Sequence, residues 1–273
     1  MKLGGRTAVI TGAGSGIGRG IAQALAKRGC NLALADINQT GIEETAALLP
    51  NVKVSRHRID VSDRDECLAL PAAVLSEHGH VDVLFNNAGV AIGGTFEQVD
   101  ETDFDWLMGI NFTAVVRLTR AFLPYLKARD EARIVNTSSL FGLIAPPNQA
   151  AYCASKFAVR GFSESLRNEL ALAGSTVGVS VVHPGGIRTA IARNARRPRH
   201  LTNAEAVQAE AMRANFENKF LKMPPERAGE IIVAGVERNR SRIIVGNDAR
   251  FAALIERLAP VSYWKILGRS MKA

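Results

Sequence analysis

The stretch Thr7-Ala8-Val9-Ile10-Thr11-Gly12-Ala13-Gly14-Ser15-Gly16-Ile17-Gly18 decides how the rest of the chain is read. Its first five residues are apolar or β-branched and predict a buried strand over 7–11. A helical pattern follows over 16–28. The turn between them is rich in glycine, so the backbone can bend sharply and bring its amides close to a phosphate, with the positive end of a helix behind them. The spacing is Gly12-x-x-x-Gly16-x-Gly18, with Ile17 standing where a Gly-x-Gly-x-x-Gly pattern counted from Gly12 would place its third glycine. A strand before and a helix after favour a cradle for a dinucleotide pyrophosphate over a plain structural turn. Gly12, Ser15, Gly16, Ile17 and Gly18 are its candidate contacts.

Outward from this turn, apolar runs at 31–35, 52–56, 81–85, 133–137, 176–182 and 242–245 alternate with helical patterns at 40–49, 64–77, 103–127, 151–172 and 226–238. The runs are continuously apolar, as strands covered on both faces are. The alternation predicts an α/β fold, a doubly wound parallel sheet of about seven strands with helices on both faces. Pro124 is expected to kink or break the long helix near its end. There is no internal repeat and no low-complexity linker, so 1–273 reads as one domain. Residues 190–223 interrupt the rhythm. They are polar, helical in composition, and follow a late strand near the sheet's carboxyl edge, which suits a substrate lid.

Asp36 closes the second strand, 18 residues beyond Gly18. A carboxylate there can accept hydrogen bonds from both adenosine ribose hydroxyls and would repel a 2′-phosphate, favouring NAD over NADP. The competing role is a cap on the next helix. Further on, Tyr152 and Lys156 stand four residues apart within the predicted helix 151–172, one turn apart on one face. A phenol ionises near pH ~10. An ammonium about 4 Å away would favour the phenolate by about 4 kcal/mol at an effective dielectric of ~20, roughly three pKa units. The expectation is a tyrosine that exchanges protons near neutral pH.

Composition narrows the function classes. Hydrophobic residues are 47% and charged residues 22%, as in ordinary globular proteins. The first residues lack the apolar stretch of a signal peptide, and no apolar run approaches the ~20 residues that span a bilayer. Cys30, Cys67 and Cys153 fit neither a disulfide framework nor a metal site. A cytoplasmic protein with reduced thiols and no metal is expected. The formal charge is +8, and residues 190–273 hold the whole excess, 16 Lys+Arg against 8 Asp+Glu. Only Arg193, Arg196, Arg197 and Arg199 cluster tightly, with no interleaved aromatics, so a solvated surface is favoured over a nucleic-acid site.

With these residues in place, the chain resembles the short-chain dehydrogenase/reductase family from about residue 6 to 189, and more loosely to its end. The resemblance is carried by Thr11-Gly12-x-x-x-Gly16-Ile17-Gly18, Asp60, Asn86-Asn87-Ala88-Gly89, Asn111, Ser138-Ser139, the Tyr152-x-x-x-Lys156 pair and Pro184-Gly185. Ser139 precedes Tyr152 by 13 residues, the interval that favours it over its neighbour Ser138. The resemblance implies a Rossmann-type, NAD(P)-dependent oxidoreductase acting on CH–OH groups. Tyr152 would be its general acid/base and Ser139 the hydrogen-bonding partner of the substrate oxygen. Lys156 would hold the nicotinamide ribose, and Asn111 a relay water. By the same analogy Asp60 and Val61 would meet the adenine, and Asn87, Ala88 and Gly89 the adenosine side. Pro184, Gly185, Ile187 and Thr189 would wrap the nicotinamide. His183 is expected to be structural.

The expected substrate is a secondary alcohol or ketone, apolar in character, in a pocket drawn from Phe141, Leu143, Ile144, Asn148, Gly186 and parts of 190–223. The family commonly forms homotetramers or dimers through helices such as 103–127 and 151–172. The tail 251–273 mixes apolar and basic residues. It suits a subunit interface better than a peripheral membrane contact, because Pro260 interrupts its helical pattern. Two other functions are consistent with the sequence. One is an NADPH-dependent ketoreductase of lipid or polyketide metabolism. The other is a non-enzymatic dinucleotide sensor with a basic C-terminal region.

Overall fold

In a computed structural model of the chain, residues 1–272 are described, with side chains described as far as Gly268. The strands are β1 (Thr7–Thr11), β2 (Asn31–Asp36), β3 (Val54–Arg58), β4 (Val83–Asn86), β5 (Ala132–Thr137), β6 (Val177–Pro184) and β7 (Arg242–Val245). They form one sheet in the order β3-β2-β1-β4-β5-β6-β7, and every pairing is parallel. The helices are α1 (Gly16–Ala26), α2 (Gln39–Ala47), α3 (Arg64–His78), α4 (Glu101–Met108), α5 (Ala114–Lys127), α6 (Ala150–Leu172), α7 (Asn203–Phe220), α8 (Pro225–Glu237), α9 (Asn247–Leu258) and α10 (Tyr263–Lys272).

Successive strand residues face opposite sides of the sheet. Ala8, Ile10, Leu32, Leu34, Val83 and Phe85 pack with Ile21, Leu25, Ile42 and Ile232 of α1, α2 and α8. Their neighbours Val9, Ala33, Ala35 and Leu84 pack with Val74, Leu118, Phe122 and Leu170 of α3, α5 and α6. Both faces of the central strands are therefore covered, which explains their apolar runs; the edge strand β3, Val-Ser-Arg-His-Arg, is only partly buried. The order reverses between β1 and β4, so the loops leaving their carboxyl ends diverge and open a crevice there. On one side of it, α1 is seated tightly on α8. A Cβ at Gly229 or Gly20 would drive into the other helix's backbone, so glycine at both sets the separation of the two helices.

Most element boundaries lie within a residue or two of the sequence reading, and two departures have a visible cause. The strand expected at 52–56 lies two residues later, at Val54–Arg58, because Asn51 turns the chain with a left-handed φ of 69°. The long helix is not interrupted at Pro124, which sits within α5. It changes character at Gly109–Thr113, one π-helical turn between α4 and α5, the kind of bulge that often marks a functional position.

Candidate active site

The glycine turn meets the loop after β4 at the crevice. Gly12 has φ +66°, and a Cβ there would lie 2.9 Å from Ala88 Cα. The Thr11 hydroxyl accepts from the amides of Asn87 (3.0 Å) and Ala88 (3.1 Å) and donates to Phe85 O. Asn87 Nδ2 donates to Thr11 O at 3.1 Å. Val61 lines the same corner with Thr11 and Ala88, while the Asp60 carboxylate accepts from Ser62. Ser15 is the extended N-cap of α1, and its side chain makes no capping hydrogen bond. The amides opening α1 thus lack the side-chain acceptor that usually satisfies them, which fits an anion such as a pyrophosphate. Asp36 bridges the turn: its Oδ2 accepts from Gly14 N (2.8 Å) and its Oδ1 from Asn38 N (2.9 Å). It does not cap α2, a role filled by Asn38.

Across the crevice, β5 ends beside α6. Ser138 donates its hydroxyl to Lys156 O at 2.8 Å, within the buried packing of α6. That bond commits Ser138 to structure and leaves its neighbour Ser139 at the surface of the cleft. There the Ser139 hydroxyl lies on the Tyr152 side, near enough to favour ionisation of the phenol, and accepts from Phe141 N at 3.1 Å. Lys156 is almost fully buried. Its Nζ lies 5.6 Å from the Tyr152 ring centroid and donates to Thr137 O at 3.1 Å. Asn111, in the π turn, accepts from Val90 N (2.8 Å) and donates to Val90 O (3.0 Å) and Ser155 Oγ (3.1 Å). It ties the β4 loop, the α4–α5 junction and α6 together. Gly89 lies between Asn111 and Lys156: a Cβ there would be 3.2 Å from Asn111 Oδ1 and 3.4 Å from Lys156 Nζ.

The electrostatics differ from the simple pair expected of Tyr152 and Lys156. Burial pushes the Tyr152 phenol up to about 12, against a smaller opposing effect of the neighbouring Ser139 hydroxyl. Burial pulls the Lys156 ammonium down to about 8. The ammonium is spent on the Thr137 carbonyl and faces the ring from beyond hydrogen-bonding distance, so desolvation outweighs the attraction. Tyr152 is therefore a phenol, not a phenolate, at neutral pH.

The loop after β6 closes the site. A Cβ at Gly16 would lie 3.1 Å from Thr189 Cγ2, so the loop and the glycine turn touch. Pro184 still pairs with β7, and the Ile187 side chain is in the core, leaving its backbone to the cleft. Asp248, at the start of α9, organises Gly185 and Gly186 and accepts from Gly186 N at 2.6 Å. The sequence reading missed Asp248, since one aspartate sixty residues away carries no local signal. His183 is fully buried and its Nδ1 contacts Ser139 O at 2.9 Å. Burial lowers its pKa to about 4, a neutral ring that props the Ser139 backbone, in keeping with a structural role.

The expected pocket residues divide. Phe141 is edge-on to Tyr152, with ring centroids 6.1 Å apart, and continues to Phe216 at 6.5 Å and from there to Phe220 at 5.5 Å. This aromatic run brings α7, within 190–223, against the site; Phe216 and Phe220 were not singled out from sequence because α7 is polar overall. Leu143 and Ile144 are buried side chains, Ile144 in a small core with Ala252 and Leu267. Asn148 is exposed with a left-handed φ of 64°, and its carbonyl accepts from Gly94. Gly186 lies under the end of α7, with no room for a Cβ beside Phe220 O. The tail folds onto its own chain: Tyr263 and Trp264 pack on the Ile144 core, and Ala145 N donates to Tyr263 Oη at 2.9 Å. Phe251, Leu254, Leu258 and Val261 stay exposed. Ala273 and the Arg269 side chain lie outside the described residues.

Known proteins resemble this chain in sequence and in fold. The chain is 41% identical over 265 residues to an oxidoreductase named SadH from Mycobacterium tuberculosis, covering 96% of this chain and 94% of that one. It is 32% identical over 269 residues to estradiol 17-beta-dehydrogenase 11 of Mus musculus, covering 97% and 84%. A short-chain dehydrogenase/reductase from Burkholderia phymatum, solved in complex with NAD, superposes with a TM-score of 0.87 at 30% identity, covering 94% of this chain and 95% of that one. The profile of the family described as short chain dehydrogenase matches residues 6–200, which spans the glycine turn, Ser139, Tyr152 and Lys156. A nicotinamide dinucleotide is accordingly the cofactor for which this crevice is built, and the chain belongs to the short-chain dehydrogenase family.

Proposed function

We propose that the protein interconverts an apolar secondary alcohol and its ketone with NAD(H), using Tyr152 as the group that exchanges the proton. The observation that carries this reading is the grouping of Ser139, Tyr152 and Lys156 at the carboxyl edge of the sheet: the Ser139 hydroxyl neighbours the Tyr152 phenol, and Lys156 Nζ lies 5.6 Å from the centroid of the same ring. Two neighbouring hydroxyls can converge on one substrate oxygen. In reduction Tyr152 gives its proton to that oxygen, and Ser139 donates a hydrogen bond as negative charge develops on it. The bound dinucleotide supplies or removes the hydride. Lys156 positions the cofactor's ribose, and Asn111 passes protons toward solvent through a water on the π turn. Phe141, Phe216 and Phe220 give the substrate side an aromatic wall, in accord with an apolar substrate, and residues 190–223 act as its lid.

The protonation of Tyr152 sets a direction. Reduction begins from the phenol, the form favoured by burial at neutral pH, whereas oxidation needs the phenolate. With the phenol pushed up to about 12, each unit that the pH rises toward that value increases the phenolate fraction about tenfold. Alcohol oxidation is expected to accelerate steadily from pH 7 to 10, and ketone reduction to stay flat or fall. Initial rates in both directions across that range check this; oxidation independent of pH would remove Tyr152 as the base.

Asp36 is the basis for NAD over NADP. Its carboxylate sits on the glycine turn through Gly14 N, where a 2′-phosphate would meet its negative charge. The test of the function is a screen of secondary alcohols and ketones with NAD(H) and NADP(H), beside cofactor titrations. The wild type is expected to bind NADH at least about tenfold more tightly than NADPH, and Asp36→Asn to erase most of that difference, roughly 1.4 kcal/mol of repulsion. Activity confined to short polar polyols would overturn the apolar pocket, and tighter NADPH binding would overturn the cofactor choice.

A further inference from the structure

Residues 190–223 are fastened at both ends, and the two fastenings are of different kinds. At the carboxyl end they are backbone bonds: Lys222 N and Met223 N both donate to Gly186 O, and Arg188 N donates to Met223 O. At the amino end the fastening centres on Arg196. Its N–H donates to Ala91 O at 2.9 Å, and Ile92 and Arg196 form an isolated parallel bridge. Its guanidinium lies 3.6 Å from the Trp106 ring centroid, and its Nη1 donates to Asp103 Oδ1 at 2.7 Å. Asp103 is fully buried, and its other oxygen, Oδ2, is buried with no partner. Arg199 stands farther off, at 3.6 Å from the bonded oxygen. Between the fastenings α7 buries no residue completely.

We infer that Arg196 is the latch that holds residues 190–223 closed over Tyr152, a positioning residue for the reaction; this rests on reading that segment as the substrate lid. The physical reason is the state left behind on opening. If the amino end lifts, Asp103 keeps its place in α4 but loses the cation that most directly offsets its burial. An exposed ion pair would contribute little to closure, but here one partner has no exposure at all. The stack on Trp106 adds a cation–π attraction along the same path. Trp106 and Ile92 pack in one small cluster with Ala151 and Tyr152, so the latch bears on the wall of the site. The carboxyl end, tied to the Gly186 loop by backbone bonds, is the hinge.

The test uses the full chain. Hydrogen exchange of Arg196→Ala is read beside wild type without substrate, and then steady-state kinetics with NADH. Amides of 190–210 are expected to exchange at least about tenfold faster, with α4 and Gly109–Thr113 still protected. KM for the ketone should rise about tenfold with kcat unchanged or higher, and NADH affinity should hold, the pattern of lost enclosure. Arg196→Lys, which keeps the charge but not the planar stack, should fall between the two. Asp103→Asn combined with Arg196→Ala should raise KM no further than Arg196→Ala alone, since the two groups act as one pair. Unchanged exchange at 190–210 overturns the latch, and so does acceleration spread equally over α4 and 109–113, which would mean a loosened helix. If no alcohol or ketone were turned over at all, the functional reading would fail while the exchange experiment still decided the latch.

Discussion

Tyr152→Phe is expected to lower kcat about a thousandfold, within the 10²–10⁴ range that a positioned acid or base supplies, while leaving NADH affinity within about twofold. The substitution removes one oxygen and keeps the ring, so the edge-on contact with Phe141 and the packing beside Lys156 survive. The cost falls on the reaction because Ser139 alone can donate a hydrogen bond to the substrate oxygen but has no phenolic proton to give. Ser139→Ala should cost less, about 10²-fold, the size of effect seen when one oxyanion donor is lost. NADH titration by fluorescence and single-turnover ketone reduction would separate the two quantities. A Tyr152→Phe protein within tenfold of wild-type turnover would remove the phenol from the chemistry.

Gly18→Ala is expected to weaken NADH binding by roughly thirtyfold and to lower stability by about 1–3 kcal/mol, the usual cost of overpacking a tight site. A Cβ at Gly18 would fall inside the van der Waals envelope of Gly12 O and 2.9 Å from Asn87 Nδ2. Neither neighbour can yield cheaply. Gly12 O is backbone in a left-handed turn, and Asn87 Nδ2 holds the turn through Thr11 O. Relief requires the turn to move away from the end of α1, which disperses the amides that would receive the pyrophosphate. Gly14→Ala gives the contrast: its Cβ would meet Asp36 Oδ2 at 3.0 Å and Gly41 C at 3.3 Å, tight contacts that a shift of a few tenths of an ångström relieves, not an overlap with backbone, so a smaller loss is expected. Urea denaturation and NADH titration on both variants check this; equal losses at the two positions would mean that the crowding at Gly18 is not what sets affinity.

The site was legible in sequence to the extent that its chemistry is local. Gly12 to Gly18 lie on one turn, and Tyr152 and Lys156 on one helical face, so spacing alone brings them together. The choice of Ser139 over Ser138 rested on an interval, and the physical basis is tertiary: Ser138 bonds the carbonyl of Lys156. Asp248, Phe216 and the Asp103–Arg196 pair have no local signature. Their partners lie tens of residues away, and only the packing of α4, α7 and α9 around the loop after β6 brings them to the cleft. The tail illustrates the same limit. Its alternation of apolar and basic residues suits several partners, and contact with Ile144 selects its own chain for Tyr263 and Trp264.

The seven strands in their order along the chain, the helices between them and the parallel character of the sheet follow from the sequence by itself, because strands buried on both faces demand apolar runs with helices of period 3.6 between them; the π turn that divides 103–127 does not. The protonation of Tyr152 belongs to the tertiary structure. A one-turn separation predicts that Lys156 lowers the phenol's pKa, whereas the folded protein buries both groups, gives the ammonium to Thr137 O, and raises the phenol to about 12. Proximity along a helix is a local property, but the balance between attraction and desolvation depends on everything packed around the pair.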